Sequence, residues 1–389
     1  MSVQTGLLLP AEDGTLRLYE PGPGHAFARP AEPIRSRVAI AAAHVVADPL
    51  AENIPGRPAH VDWEATLAYR RHLWSWGLGV AEAMDTAQRG MGLDWPVAAE
   101  LLRRSVREAR ACGGSVVCGV GTDHLAPGSA RDLGDIRRAY EEQCAVVEAE
   151  GGQVVLMASR ELARIAAGPD DYGEVYRHVL GQLERPALIH WLGGMFDPAL
   201  AGYWGDTDPD GAMEVCLQVI ADSAAKVDGV KVSMLDEGLE VRMRRRLPPA
   251  TRMYTGDDFN FPRLIEGDGE GHSDALLGIF DSIAPPASAS LQALDAGDVA
   301  RYREILEPTV ALSRHIFQAP TYHYKTGVVF LAFLNGHQRH FRMVAGQEAM
   351  RSVTHLAELF VLADRAHLLT DPEEASRRMR LVLALAGIP

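Results

Sequence analysis

Val227-Asp228-Gly229-Val230-Lys231-Val232-Ser233-Met234 is a run of strand length, rich in valine, with one lysine set inside it. A strand covered on both faces should carry Val or Ile throughout, so the lysine is a departure that needs a reason. Seven more short apolar runs lie around this one. Upstream are Val38-Ala39-Ile40-Ala41-Ala42-Ala43, Val80-Ala81-Glu82-Ala83-Met84, Ser115-Val116-Val117-Cys118-Gly119-Val120, Val154-Val155-Leu156-Met157 and Ala187-Leu188-Ile189-His190. Downstream are Arg252-Met253-Tyr254-Thr255 and Ala275-Leu276-Leu277-Gly278-Ile279. Their centres recur roughly every 34 residues, about one strand plus one crossover helix, and eight such units predict an α/β fold, a (β/α)8 TIM barrel.

The intervening stretches carry helical periodicity. After Asp94-Trp95-Pro96, a cap with proline in the first turn, Ala98, Leu101, Leu102, Val106 and Ala109 form one apolar stripe, with Arg103, Arg104, Arg107 and Arg110 opposite. Residues 135–150, 171–183 and 209–225 read the same way, and beyond the eighth strand so do 295–317, 325–335 and 352–369. This divides the chain into an N-terminal extension (1–35) rich in Pro and Gly, the barrel (36–290) and a C-terminal helical region (291–389).

Composition narrows the class of function. Lys+Arg 38 against Asp+Glu 52 leaves a net charge of −14, which opposes binding to nucleic acid. No apolar run is long enough to span a membrane, the N-terminus lacks a signal-peptide pattern, and Cys112, Cys118, Cys144 and Cys216 have no zinc-site spacing. The expectation is a cytoplasmic protein with buried, reduced thiols. Lysine is scarce: Lys226, Lys231 and Lys325 are the only three.

Barrel active sites form at the C-terminal ends of the strands. Lys231 leads the candidates, because burial disfavours an ammonium and a neutral amine attacks a ketone or aldehyde to give an imine that withdraws electrons. The same residue could equally snorkel to solvent or pair with a carboxylate. Tyr254-Thr255-Gly256-Asp257-Asp258 ends the seventh strand, where Gly256 lets backbone approach a ligand and Asp257 and Asp258 hold hydroxyls or close the loop. His190 ends the fifth strand and is a candidate proton shuttle or a hydrogen-bonded structural histidine. Asp85 and Thr86 follow the second strand, where they could receive a substrate oxygen. Glu82 would face Lys231 if it points inward, whereas a one-residue change of register sends it to the helices. His44, Asp123, His124 and His272 also fall near strand ends without the spacing of a metal site, and the Arg242–Arg246 run reads as solvated surface.

On these residues, the stretch from about Arg37 to Gly336 resembles the dihydrodipicolinate synthase and N-acetylneuraminate lyase family of class I aldolases, as a divergent bacterial branch. The carrying motifs are Gly229-Val230-Lys231, similar to the family's Schiff-base strand, followed by Thr255-Gly256-Asp257-Asp258; the helix start at Asp295-Ala296-Gly297-Asp298 also looks like the family's C-terminal region. Four places depart from it. Met84-Asp85-Thr86-Ala87-Gln88 stands where the family has Gly-Thr-Thr-Gly-Glu, which counts against pyruvate. His190-Trp191 replaces a Tyr-Asn pair whose tyrosine relays protons, and Ser159-Arg160 replaces paired tyrosines. An insertion around residues 203–211 would reshape the site mouth or a subunit contact.

The resemblance implies a homo-oligomer that forms a Schiff base with a small-molecule carbonyl substrate, an oxo acid or keto-sugar derivative, and needs no cofactor. Lys231 would be the nucleophile, His190 the proton shuttle, and Glu82, Asp85, Thr86, Gly256, Asp257 and Asp258 the substrate-orienting residues. Two other readings stay open: a metal-dependent TIM-barrel lyase or isomerase, and a non-catalytic carbohydrate-binding barrel.

Overall fold

The computed structural model describes residues 6–389, so the first five residues of the expected N-terminal extension lie outside it. A short antiparallel hairpin comes first, β1 (Leu7–Pro10) and β2 (Leu16–Tyr19). Eight parallel strands follow: β3 (Ala39–Ala42), β4 (Gly79–Glu82), β5 (Val116–Val120), β6 (Gln153–Leu156), β7 (Ala187–Leu192), β8 (Val227–Ser233), β9 (Arg252–Thr255) and β10 (Asp274–Leu277). They pair in chain order, and β10 returns to β3 to close the barrel. Each strand coincides with one of the eight apolar runs.

Alternation along the strands divides the core in two. Ile40, Ala42, Ala81, Met84, Val117, Val155, Leu188, Tyr254 and Leu276 fill the barrel interior. Their neighbours one residue along, such as Val80, Ile189, Val230 and Val232, pack into the larger core shared with the helices. Gly229 is required on the inner face, because a methyl there would stand 2.6 Å from Cε2 of Tyr254.

The helices begin where their caps predict. Asp94 accepts from the Val97 N–H at the start of Trp95–Cys112, with Pro96 in the first turn. The stretch expected as one helix over 295–317 is instead broken. A helix over Ala284–Asp295 ends at Asp295, and Val299–Leu306 and Thr309–Ile316 follow. Asp298 caps the second of these, so Asp295 ends a helix instead of starting one. Ala284–Asp295 is hidden in sequence by Pro285 and Pro286, which are tolerated because they occupy the first turn.

Tyr324–Leu334 is buried at every residue and is the centre of the C-terminal region, packed on Thr309–Ile316, Val353–Arg365 and Pro372–Leu385. The N-terminal segment is more ordered than its composition suggests: the Tyr19 hydroxyl donates to Asp364 at 2.6 Å and packs edge-on to Phe360. No described helix is long and apolar enough to cross a membrane. Three cysteines are buried, and Cys112 is exposed, against the expectation for all four, because it ends its helix on the outer face.

Candidate active site

Lys231 lies on β8 between His190 of β7 and Tyr254 of β9, its partners in register. Val230 and Val232 face the helices, so Lys231 faces the barrel axis, and only 7% of it is exposed. Burial pulls its ammonium below the ordinary lysine value, with the charges of Asp85 and Asp258 pulling the other way. Gly256 makes room for it: a methyl there would stand 2.8 Å from Cε of Lys231 and would collide with Oγ of Ser233. The glycine expected to admit a ligand thus first admits the lysine.

His190 is fully buried, with Nε2 3.1 Å from Oγ of Ser233 and Nδ1 without a hydrogen-bond partner among the described residues. Burial, reinforced by Lys231, holds this imidazole well below the usual histidine range, so it is neutral at neutral pH. Asp258 is buried too; its Oδ1 accepts from the Ile279 N–H at 2.8 Å, and burial holds its carboxyl above the usual range against the opposing charge of Lys231. Thr86 shares a hydrogen bond of 2.8 Å with the Tyr324 hydroxyl.

Two expected site residues are engaged elsewhere. Asp257 accepts from the backbone N–H groups of Phe259 and Asn260 and from Nδ2 of Asn260, at 2.8 to 3.0 Å, which spends both oxygens on closing its own loop. Glu82 points outward to the helices. Arg70 donates to both its oxygens at 2.6 and 3.0 Å and Ser105 donates to Oε1 at 2.6 Å, so this buried carboxylate ties two helices to β4 and does not face Lys231. The reason is register, since Ala81 takes the inward position.

The segment after β4 holds two non-glycine residues in the left-handed region, Ala83 (φ 49°) and Gln88 (φ 62°). Such strain persists where surrounding structure enforces it. Here Arg89 does so, donating to the carbonyls of Ala83 and Gly119, to both oxygens of Asp123 and to Oε1 of Gln143.

A cavity of about 640 Å³ opens at this end of the barrel. Asp85, Arg89, Thr122, Asp123, Arg160 and His190 are among its polar walls. Lys231 does not itself line it; its cross-strand neighbour His190 and its carboxylate neighbour Asp85 do. The segment ahead of the expected insertion contributes Asp197 and Leu200 to the wall, whereas Tyr203 and Trp204 turn away and pack against Tyr172 and Tyr176.

Sequence reasoning missed four participants. Ser233 follows Lys231 on the same strand face and was legible by alternation. Arg89 was hidden among the surface arginines. Tyr324 and Lys325 lie 238 and 234 residues from their partners Thr86 and Met91, and no local signal connects them. Lys325 is buried, donates to the Tyr322 carbonyl at 3.0 Å and to Sδ of Met91 at 3.2 Å, and is lowered by burial to about 8. The charge of Asp85 opposes that lowering for Lys325 as it does for Lys231.

The other histidines near strand ends are dispersed. His44 is paired with Asp281 at 2.9 Å and His124 with Glu142 at 3.1 Å. Among the described residues no three or more His, Cys, Asp or Glu side chains stand close enough to hold a metal ion. Arg242, Arg245 and Arg246 pair with acidic side chains on the outer surface, as expected of a solvated run, whereas Arg244 is largely buried and pairs with Asp268 at 2.8 Å.

Several solved structures share this architecture. The dihydrodipicolinate synthase of Bacteroides thetaiotaomicron superposes with a TM-score of 0.61 at 16% identity, over 83% of this chain and 98% of its own. Those of Thermotoga maritima (TM-score 0.59, 13% identity, 91% and 99%) and Aquifex aeolicus (0.58, 14%, 91% and 99%) are similar. At such identities the likeness establishes the fold. No curated protein matches the sequence. A family model with the description "Protein of unknown function (DUF993)" matches residues 7–388. Because that match runs over nearly the whole length, the chain belongs to the DUF993 family, a divergent family built on the barrel of the dihydrodipicolinate synthases.

Proposed function

We propose that this protein is a class I lyase or aldolase that binds a small oxo acid or keto-sugar derivative as a Schiff base on Lys231. One observation carries the reading: an inward lysine whose charged form burial disfavours, set beside a cavity walled by His190 and Asp85. The neutral amine adds to the substrate carbonyl carbon, and the carbinolamine loses its hydroxyl as water to give the iminium. The substrate's β-hydroxyl gives up its proton to a base, the Cα–Cβ bond breaks with its electron pair passing into the iminium to leave an enamine, and the β-carbon fragment departs as the first product, an aldehyde or ketone. Protonation of the enamine and addition of water then release the second product and restore the amine.

The protons need carriers at the cavity wall. His190, neutral and bonded to Ser233 through Nε2, exchanges a proton with the carbinolamine hydroxyl, and Asp85 and Asp258 balance the iminium charge. The hydrogen bond between Thr86 and Tyr324 holds the segment after β4 against the helix Tyr324–Leu334. Its likeness in fold to dihydrodipicolinate synthases supports this reading.

The test is reductive trapping. The full-length protein is incubated with 2-oxo acids and with hydroxyketones, reduced with borohydride, digested and mapped by mass spectrometry. The expected adduct is on the peptide containing Lys231, with labelling lost in Lys231→Arg. Absence of an adduct with every carbonyl compound would overturn the proposal, as would an adduct that persists in Lys231→Arg.

A further inference from the structure

The cavity groups that remain free for a ligand say what should stand next to the substrate carbonyl. Resting on the imine reading above, we propose that the substrate is a neutral, hydroxyl-bearing ketone or aldehyde, with no carboxylate on the carbon beside the carbonyl. The buried cation of the wall is Arg89, and its guanidinium is spent: Nε, Nη1 and Nη2 make five hydrogen bonds of 2.6 to 3.2 Å to Asp123, Gln143 and the carbonyls of Ala83 and Gly119. A guanidinium has five N–H groups, so none is left for a substrate carboxylate. The wall's other arginines face solvent: Arg57 is exposed, and Arg160, half exposed, is salt-bridged through Nε to Asp197 at 2.5 Å. The Thr86 hydroxyl is already bonded to Tyr324.

Away from these solvent-facing arginines, what stays free is of the opposite kind. Asp85 lines the cavity and its side chain makes no hydrogen bond among the described residues. His190 lines the cavity fully buried, with Nδ1 unpartnered. A carboxylate accepts hydrogen bonds only, and a neutral imidazole nitrogen accepts or donates one, so hydroxyl groups satisfy both. The electrostatics agree. Asp85 and Asp258 stand beside Lys231 to balance the iminium it forms, so a carboxylate on the adjacent carbon would stand against acidic side chains, with no N–H of the buried Arg89 left to receive it. The substrate hydroxyls therefore donate to Asp85, and specificity for a polyhydroxy carbonyl compound over a 2-oxo acid resides there.

The experiment compares dihydroxyacetone with pyruvate, each trapped by borohydride on the full-length protein and on Asp85→Asn. Dihydroxyacetone should label at least tenfold faster than pyruvate, and Asp85→Asn should shrink that ratio tenfold or more. Labelling by pyruvate at an equal or greater rate overturns the inference while leaving the imine reading intact. If neither compound labels, the imine reading fails, and the ligand class is decided by thermal unfolding with two ligands that cannot form an imine, xylitol and lactate. A rise in Tm with xylitol that Asp85→Asn abolishes supports a hydroxyl-bearing ligand. A rise with lactate instead, or with neither, overturns it.

Discussion

Glu82 and Lys231 are both charged side chains inside strands of apolar character, and the structure gives them opposite fates. Lys231 faces the barrel axis without a hydrogen bond among the described residues, whereas Glu82 faces the helices and is gripped by Arg70 and Ser105. Removing one partner of a buried ion pair leaves the other uncompensated, which costs roughly 3–5 kcal/mol. Glu82→Gln is therefore expected to lower the free energy of unfolding by about that amount, measured by denaturant titration, while the pH at which Lys231 is half labelled stays unchanged. A shift of that midpoint with little loss of stability would mean that Glu82 acts on the amine. Lys231 was legible in the sequence because a valine-rich strand has no use for a lysine; the direction of Glu82 was not, because a step of one residue exchanges the two faces.

At the scale of elements, the barrel was readable because eight apolar runs recur at the spacing of βα units, and each became a strand. What escaped was long-range. The helix Tyr324–Leu334 was visible by its pattern, but nothing local says that its first residue reaches Thr86 after β4. Ala284–Asp295 was masked by two prolines, and the N-terminal hairpin by a segment that reads as loop. The turn after β9 carries its own prediction. A methyl at Gly256 would stand 2.8 Å from both Cε of Lys231 and the carbonyl oxygen of Val232. Gly256→Ala should lose borohydride labelling at Lys231 by a factor of ten or more while far-ultraviolet circular dichroism is retained; undiminished labelling would show that the lysine does not lie against this turn.

Across the whole molecule, stability should depend on pH through a group outside the site. Glu240, on the helix Glu237–Arg244, is buried with Oε1 accepting from Ser273 at 2.7 Å and Oε2 unpartnered, and burial raises its carboxyl from 4.5 to about 8. Between those values the folded chain holds a proton that the unfolded chain has released, so this group makes stability fall as pH rises from about 4.5 to 8, by up to about 1.4 kcal/mol per pH unit. Glu240→Gln should flatten the slope and make the variant the more stable form at pH 8; parallel stability curves for the two proteins would contradict this.

The account as a whole depends on a single amine kept uncharged near the barrel mouth, and the direct measurement is the rate of reductive labelling at Lys231 as a function of pH. Burial places the midpoint below 10.5, the ordinary lysine value, with the label confined to this residue. A midpoint at or above 10.5, or label spread over Lys226 and Lys325 as readily as Lys231, would contradict it.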